Sequence, residues 1–146
     1  MAKKQISTGN SINGLTHDDL VYFYEFLTEY ERSKKGNWKY KTIPIKTLEK
    51  ECGLSIKKQP SLAKLYPSGK NEVIFYNPSS IVYDLLRHIR NSFAHANVTR
   101  KNDYYHLEDY KEVGTGAQKQ WKLSMSANID CDLLKKFIDT LKAAKI

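Results

Sequence analysis

Leu20, Phe23, Tyr24, Leu27 and Tyr30 recur three and four positions apart, with Val21 and Phe26 widening the stripe. That period is helical and predicts a largely buried helix from about residue 17. Thr16 and Asp19 form a variant of the capping box at its start, and Ser33 to Gly36 ends it. Residues 1–14 are rich in Ser, Asn and Gly with almost no apolar content, the composition of a mobile tail. The organisation predicted is a tail over 1–14 and one domain over 15–146, a length that suits a single core.

The helical period returns with Val82, Leu85, Leu86, Ile89 and Phe93. Asn77, Pro78 and Ser79 open that helix, which runs to about residue 95. A third stripe, Leu134, Phe137, Ile138 and Leu141, gives a last helix from about Asp130. Between these two, YYHLEDYKEV and QKQWKLSMS are aromatic-rich or alternating and flank a GTG turn, which predicts a β-hairpin. Residues 37–76 carry weaker signals. Pro44 and Gly53 bracket a short helix within 43–52. Pro60, Pro67 and the run PSGKN read as loop, and EVIFY at 72–76 has strand composition but no evident partner. The predicted order is helix, irregular basic segment, helix, hairpin, helix. That is a mainly α fold, a small helical bundle with a β-hairpin appended.

Composition excludes several classes. No apolar run approaches the length of a membrane span. The first lysines have no apolar stretch behind them, so no secretion signal is expected. Cys52 and Cys131 lie far apart without ligand-like spacing to histidine. They read as free thiols in a reducing cytoplasm, and neither a metal site nor a cofactor is expected.

The net charge of +8 is informative because it is local. Arg32, Lys34, Lys35, Lys39, Lys41, Lys46, Lys50, Lys57, Lys58 and Lys64 face only Glu49 and Glu51, and the rest of the chain balances. Such a segment either binds RNA, with Lys34, Lys35 and Lys39 as phosphate contacts, or is a solvated face. Trp38 and Tyr40 within it either stack on bases or pack on the core.

The stretch LLRHIRNSFAHANV at 85–98 gathers Arg87, His88, Arg90, Asn91 and His95. With Ile89 set toward the core, the helical step puts Arg90, Arg87, Asn91, Asp84, His95 and His88 on the opposite arc, at about 100° to 260°. A solvated surface accounts for this: Asp84 and His88 make an i,i+4 pair. A protonated His95 suits the helix C-terminus, and Asn97 suits a left-handed position just beyond. Chemistry accounts for it too. Cleaving RNA without metal needs a group that moves the 2′-OH proton, which histidine does near neutral pH. It also needs fixed positive charge beside the phosphorane, which arginine supplies, with Asn91 to orient either group.

One geometric difficulty follows. Arg90 and His95 diverge by about 140° and about 7.5 Å along one helix, so a single helix does not aim both at one phosphate. Two copies across a two-fold axis do, which predicts a homodimer. His106 with Glu108, and Glu25 with Glu29, are secondary candidates whose plainer readings are hairpin surface and solvated carboxylates. His17 reads as part of a helix start.

Arg90-Asn91-Ser92-Phe93-Ala94-His95 matches the Arg–polar–spacer–His motif of HEPN-domain ribonucleases. The wider LLRHIRNSFAHANV, followed by YYHLEDY and a hairpin, resembles a bacterial family of HEPN nucleases over about residues 80–140. The resemblance implies a HEPN-like helical bundle that dimerises at the motif helix. It implies metal-independent endoribonuclease activity of the toxin or defence kind, with RNA as substrate and a protein antitoxin as a partner. Carried onto this chain, it makes Arg90 and His95 the catalytic pair and Asn91 their polar neighbour. Arg87 and His88 take no fixed role from it and are read as RNA-binding. In one branch a tyrosine two residues after the histidine is modified by the antitoxin; Asn97 stands at that position here. Two alternatives remain: a catalytically silent HEPN module that binds RNA, nucleotide or a protein partner, and a small structural dimerisation domain.

Overall fold

The computed structural model describes residues 12–34, 40–62, 66–67 and 69–144. Helix α1 (His17–Lys34) starts at the expected cap. The Thr16 N–H donates to Asp19 Oδ2 at 2.9 Å and the Asp19 N–H to Thr16 Oγ1 at 3.1 Å, the reciprocal pair of a capping box. Helix α2 (Ile45–Cys52) follows Pro44 and ends at Gly53, whose φ of 70° suits a residue without Cβ. Strands β1 (Ser55–Gln59) and β2 (Glu72–Tyr76) come next, then α3 (Ile81–Ala94). Strands β3 (Val98–Lys101), β4 (Tyr104–Val113) and β5 (Gln120–Asp130) lead into α4 (Cys131–Ala143).

The strands form one five-stranded sheet in the order β1-β2-β5-β4-β3. β1 and β2 run parallel, and every other pair is antiparallel. This overturns the mainly α bundle: the fold is mixed α/β, and it is not the HEPN-like helical bundle that the motif resemblance implied. The hairpin exists, but as two strands of a larger sheet. What escaped the hydrophobic pattern were the two edges. In β1 (SIKKQ) only Ile56 is buried, while Lys57 and Lys58 are exposed. In β3 (VTRK) only Val98 is. Edge strands are defined mainly by backbone pairing, and lysines there discourage further pairing.

The helical stripes of α3 and α4 are buried as their period predicts, and they share one core with Val73, Phe75, Leu107, Met125 and Ala127 of the sheet. Helix α1 is less buried than its composition suggests. Phe23 and Phe26 enter the core, with Phe23 stacked on Phe93 at 4.1 Å, but Leu20, Val21 and Tyr24 are exposed. Helix α3 packs against α1 and α4 and against β2 and β4 of the sheet.

A polar strap fastens α1 to the β3 edge. The buried Asp19 carboxylate accepts from Arg100 Nη1 at 3.0 Å and from the Tyr105 hydroxyl. Burial pushes its pKa up, but the bonds from Tyr105, the Thr16 N–H and Arg100 together outweigh this and lower it. A carboxylate with a depressed folded-state pKa contributes stability above its unfolded value and loses it as pH falls through the folded one. The Asp19→Asn protein is therefore expected to melt well below wild type at pH 7, with the gap closing below about pH 4. A gap independent of pH in thermal melts would remove Asp19 as the source.

Candidate nucleic-acid interface

The arc of α3 opposite Ile89 is only partly open to water. Asp84 and His88 are completely buried. Asp84 accepts from Asn77 Nδ2 at 2.7 Å and the Ser79 N–H at 2.9 Å, closing the entry to α3, where Ser80 is the N-cap. It pairs with Arg87 at 3.3 Å rather than with His88. His88 instead points at the sheet: Nδ1 lies 2.8 Å from Asp109 Oδ2 and Nε2 lies 3.0 Å from the Tyr76 carbonyl oxygen. Both ring nitrogens thus stand within hydrogen-bond distance of an oxygen. Contact between His88 and RNA is thereby corrected: its ring is sealed between α3, β2 and β4.

From Asp109 the network runs outward. Asn91 Nδ2 donates to Asp109 Oδ2 at 3.2 Å, and Asn91 Oδ1 accepts from Arg90 Nη1 at 2.9 Å. Arg90 Nε donates to Glu31 of α1 at 2.7 Å, and its Nη2 also meets that carboxylate. Arg87 and Arg90 are thus both partnered by carboxylates, and each is only half-exposed. The helix ends with His95 as C-cap, its ring exposed and without a hydrogen-bond partner among the described residues. The left-handed residue is Ala96, at φ 58°, not Asn97.

His95 opens onto a cavity of about 540 Å³ lined by Asn91, His95, Asn97, Asp109, Tyr110 and Trp121. It forms where the sheet runs out. β3 pairs with β4 over Tyr104 to Leu107, so, among the described residues, 109–113 have a strand partner only in β5. A register shift between Asp109 and Tyr110 bends the hairpin at this point. Asp109 therefore stays inside while Trp121 is 68% exposed. Tyr110 donates its hydroxyl to Glu108 Oε1, and that bond, with burial, pushes its pKa up to about 12, which keeps the ring neutral. Glu108 also accepts from His106; against burial, these two bonds hold its carboxyl low. His106 and Glu108 are thus hairpin surface that braces Tyr110.

Charge completes the picture. Lys111 and Lys122 stand directly opposite each other across the hairpin, both exposed, on the face opposite to that of Tyr110 and Trp121. Like charges in that relation oppose pairing. Lys119 of the turn is exposed as well. These residues were missed by reading charge only where it was in net excess. The signal was KQWK at 119–122 opposite YK at 110–111, lysines interleaved with aromatics at strand spacing.

None of the described residues of the basic segment lines this pocket. The Lys35 and Lys39 predictions lie outside the described residues, as does the side chain of Lys34. Of the others, Lys57 pairs with Glu72 at 2.7 Å, and Lys46 and Lys50 are on α2, which packs on α4 and β1 at the sheet edge opposite β3. Tyr40 is a half-buried core neighbour near Tyr83. Among the described residues no group of His, Cys, Asp or Glu is placed to hold a metal, and no helix is long and apolar enough to cross a membrane. No family model, curated protein or solved structure matches the chain.

Proposed function

We propose that this protein binds single-stranded RNA, with the β4–β5 hairpin as its contact arm and the cavity beside His95 as a base-binding site. One observation carries the reading: exposed Trp121 and Tyr110 line a cavity with a polar floor on one face of the hairpin, and the opposed Lys111–Lys122 pair stands on the other face of the same narrow arm. Aromatic rings stack on bases whatever their sequence, and lysines gain affinity by releasing counterions. A phosphate between Lys111 and Lys122 would also relieve their repulsion, which a merely solvated arm leaves uncompensated. Asn91, Asn97 and His95 offer hydrogen bonds of the kind that read a 2′-OH or a base edge. Free thiols at Cys52 and Cys131 suit a reducing compartment such as the cytoplasm.

Fluorescence anisotropy of a labelled twelve-nucleotide RNA, titrated at several salt concentrations, tests this directly. Each phosphate contact on a single strand contributes a slope of about −0.7 in log K against log salt. Replacing both Lys111 and Lys122 with Ala is expected to flatten that slope by about 1.4. An unchanged slope, or no binding, overturns the reading.

Cleavage of the bound strand is a second reading, favoured by the free imidazole of His95 at the cavity mouth. It follows the HEPN motif: His95 moves the 2′-OH proton and Arg90 faces the phosphorane, without metal. Arg90 must then exchange Glu31 for the phosphate. A homodimer would meet along the stripe of α3 left accessible at Tyr83, Arg87, Arg90 and Ala94. Cleavage that persists in chelator, needs the 2′-OH and leaves a 2′,3′-cyclic phosphate supports it. Cleavage abolished by chelator, or none at all, removes it.

A further inference from the structure

We propose that the cavity beside His95 is a guanine-selective subsite, an inference that rests on the RNA-binding reading above. It comes from the unequal use of the two oxygens of Asp109. Asp109 is 3% exposed and lines the cavity. Its Oδ2 accepts from both His88 Nδ1 and Asn91 Nδ2. Its Oδ1 accepts no hydrogen bond among the described residues. Nor is it sealed in: the buried side-chain polar atoms without a partner among those residues are Tyr22 Oη and Ser126 Oγ. The free oxygen therefore opens on the cavity. The network from Tyr76 to Glu31 holds the carboxylate there.

An ionised carboxylate offers acceptors only, with four lone-pair sites, two of which are already used. The ligand edge it suits carries donors. Guanine alone among the four bases presents two adjacent N–H donors, N1–H and the N2 amino group, on its Watson–Crick edge. Adenine and cytosine each pair one amino donor with a neighbouring ring acceptor that the carboxylate repels. Uracil flanks its single N–H with two carbonyl oxygens. Guanine also carries O6 beside N1–H. Asn97, on the same cavity and without a side-chain hydrogen bond among the described residues, can donate its amide to that oxygen. Tyr110 and Trp121 supply the stacking surface, which is the same for every base. Stacking gives affinity and Asp109 gives the choice.

The test uses 2′-O-methyl heptanucleotides UUUNUUU, which cannot be cleaved through a 2′-OH, with N each of the four bases. Binding to the full chain is read by tryptophan fluorescence. The guanine oligonucleotide is expected to bind about tenfold tighter than the uracil one, its N1–H and amino N–H converging on Oδ1 while O6 accepts from Asn97. Asp109→Asn replaces an acceptor with a donor and is expected to bring the guanine-to-uracil affinity ratio down to about one, with circular dichroism verifying the fold. Should that variant not fold, Asn97→Ala, outside the buried network, is expected to lower the guanine-to-uracil affinity ratio, and an unchanged ratio overturns the subsite. Equal affinity for all four bases overturns the guanine subsite and leaves RNA binding standing. Failure of these oligonucleotides and of the unmodified twelve-nucleotide RNA alike to bind overturns the RNA-binding reading itself, and the subsite with it.

Discussion

Asp109→Ala is expected to destabilise the protein by about 3–5 kcal/mol, a large share of the stability of a single domain. The reason is the company that Asp109 keeps. Its carboxylate and the His88 ring are both almost wholly buried and lie 2.8 Å apart, and the other ring nitrogen is committed to the Tyr76 carbonyl. Removing the carboxylate takes from the completely buried His88 ring its Nδ1 partner, and frees the Asn91 amide at the cavity. Removing both partners is a different matter. The double replacement His88→Leu with Asp109→Leu is expected to recover most of the loss, because apolar groups of similar volume carry no desolvation penalty. Denaturant midpoints for the three proteins check this. A single Asp109→Ala variant within about 1 kcal/mol of wild type would mean that water reaches the pair and that its burial is incomplete.

The same pair explains how much of the molecule was legible in its sequence. Apolar period located the long helices and the hairpin, because burial of one face leaves a repeat in the chain. It could not locate β1 or β3, where Ile56 and Val98 are single buried side chains among Lys, Thr, Arg and Gln. With those edges unseen, the hairpin read as an appendage and the fold as a bundle. The misreading of α3 has the same origin. His88 and Asp84 look like surface residues on a helical wheel when nothing is known to cover that arc. A sheet covers it, and supplies Asp109 and a free backbone carbonyl to satisfy them. Polar residues opposite an apolar stripe signal solvent only if no second layer exists. Of the predicted site, Asn91 and His95 reach the cavity, while Arg90 and Arg87 are held by carboxylates and His88 is internal. Trp121 was in view as part of an alternating strand. Its exposure was not, since strand alternation alone leaves open which face is bare.

Lys122→Glu is expected to move stability and RNA affinity in opposite directions. Lys111 and Lys122 are directly opposed in the β4–β5 register and are both exposed. Replacing one with a carboxylate turns a repulsive cross-strand pair into an attractive one, worth roughly 0.2–1 kcal/mol. The thermal midpoint should rise. Affinity for single-stranded RNA should fall, because a phosphate contact becomes a repulsion and the salt slope shrinks by at least about 0.7. Trp121→Ala separates stacking from charge. Its side chain is 68% exposed, so the fold should change by less than about 0.5 kcal/mol. Binding should weaken by about 1–3 kcal/mol, with the salt slope unchanged. The opposed signs are what discriminate, since general damage to the hairpin lowers stability and binding together. A Lys122→Glu protein that is less stable than wild type would show that the lysine pair is not strained by its own charge. One that is more stable yet binds RNA with undiminished affinity would return the hairpin to a solvated arm. If both Lys122→Glu and Trp121→Ala behave as expected, the unfavourable lysine pair is retained because the strand that binds there relieves it.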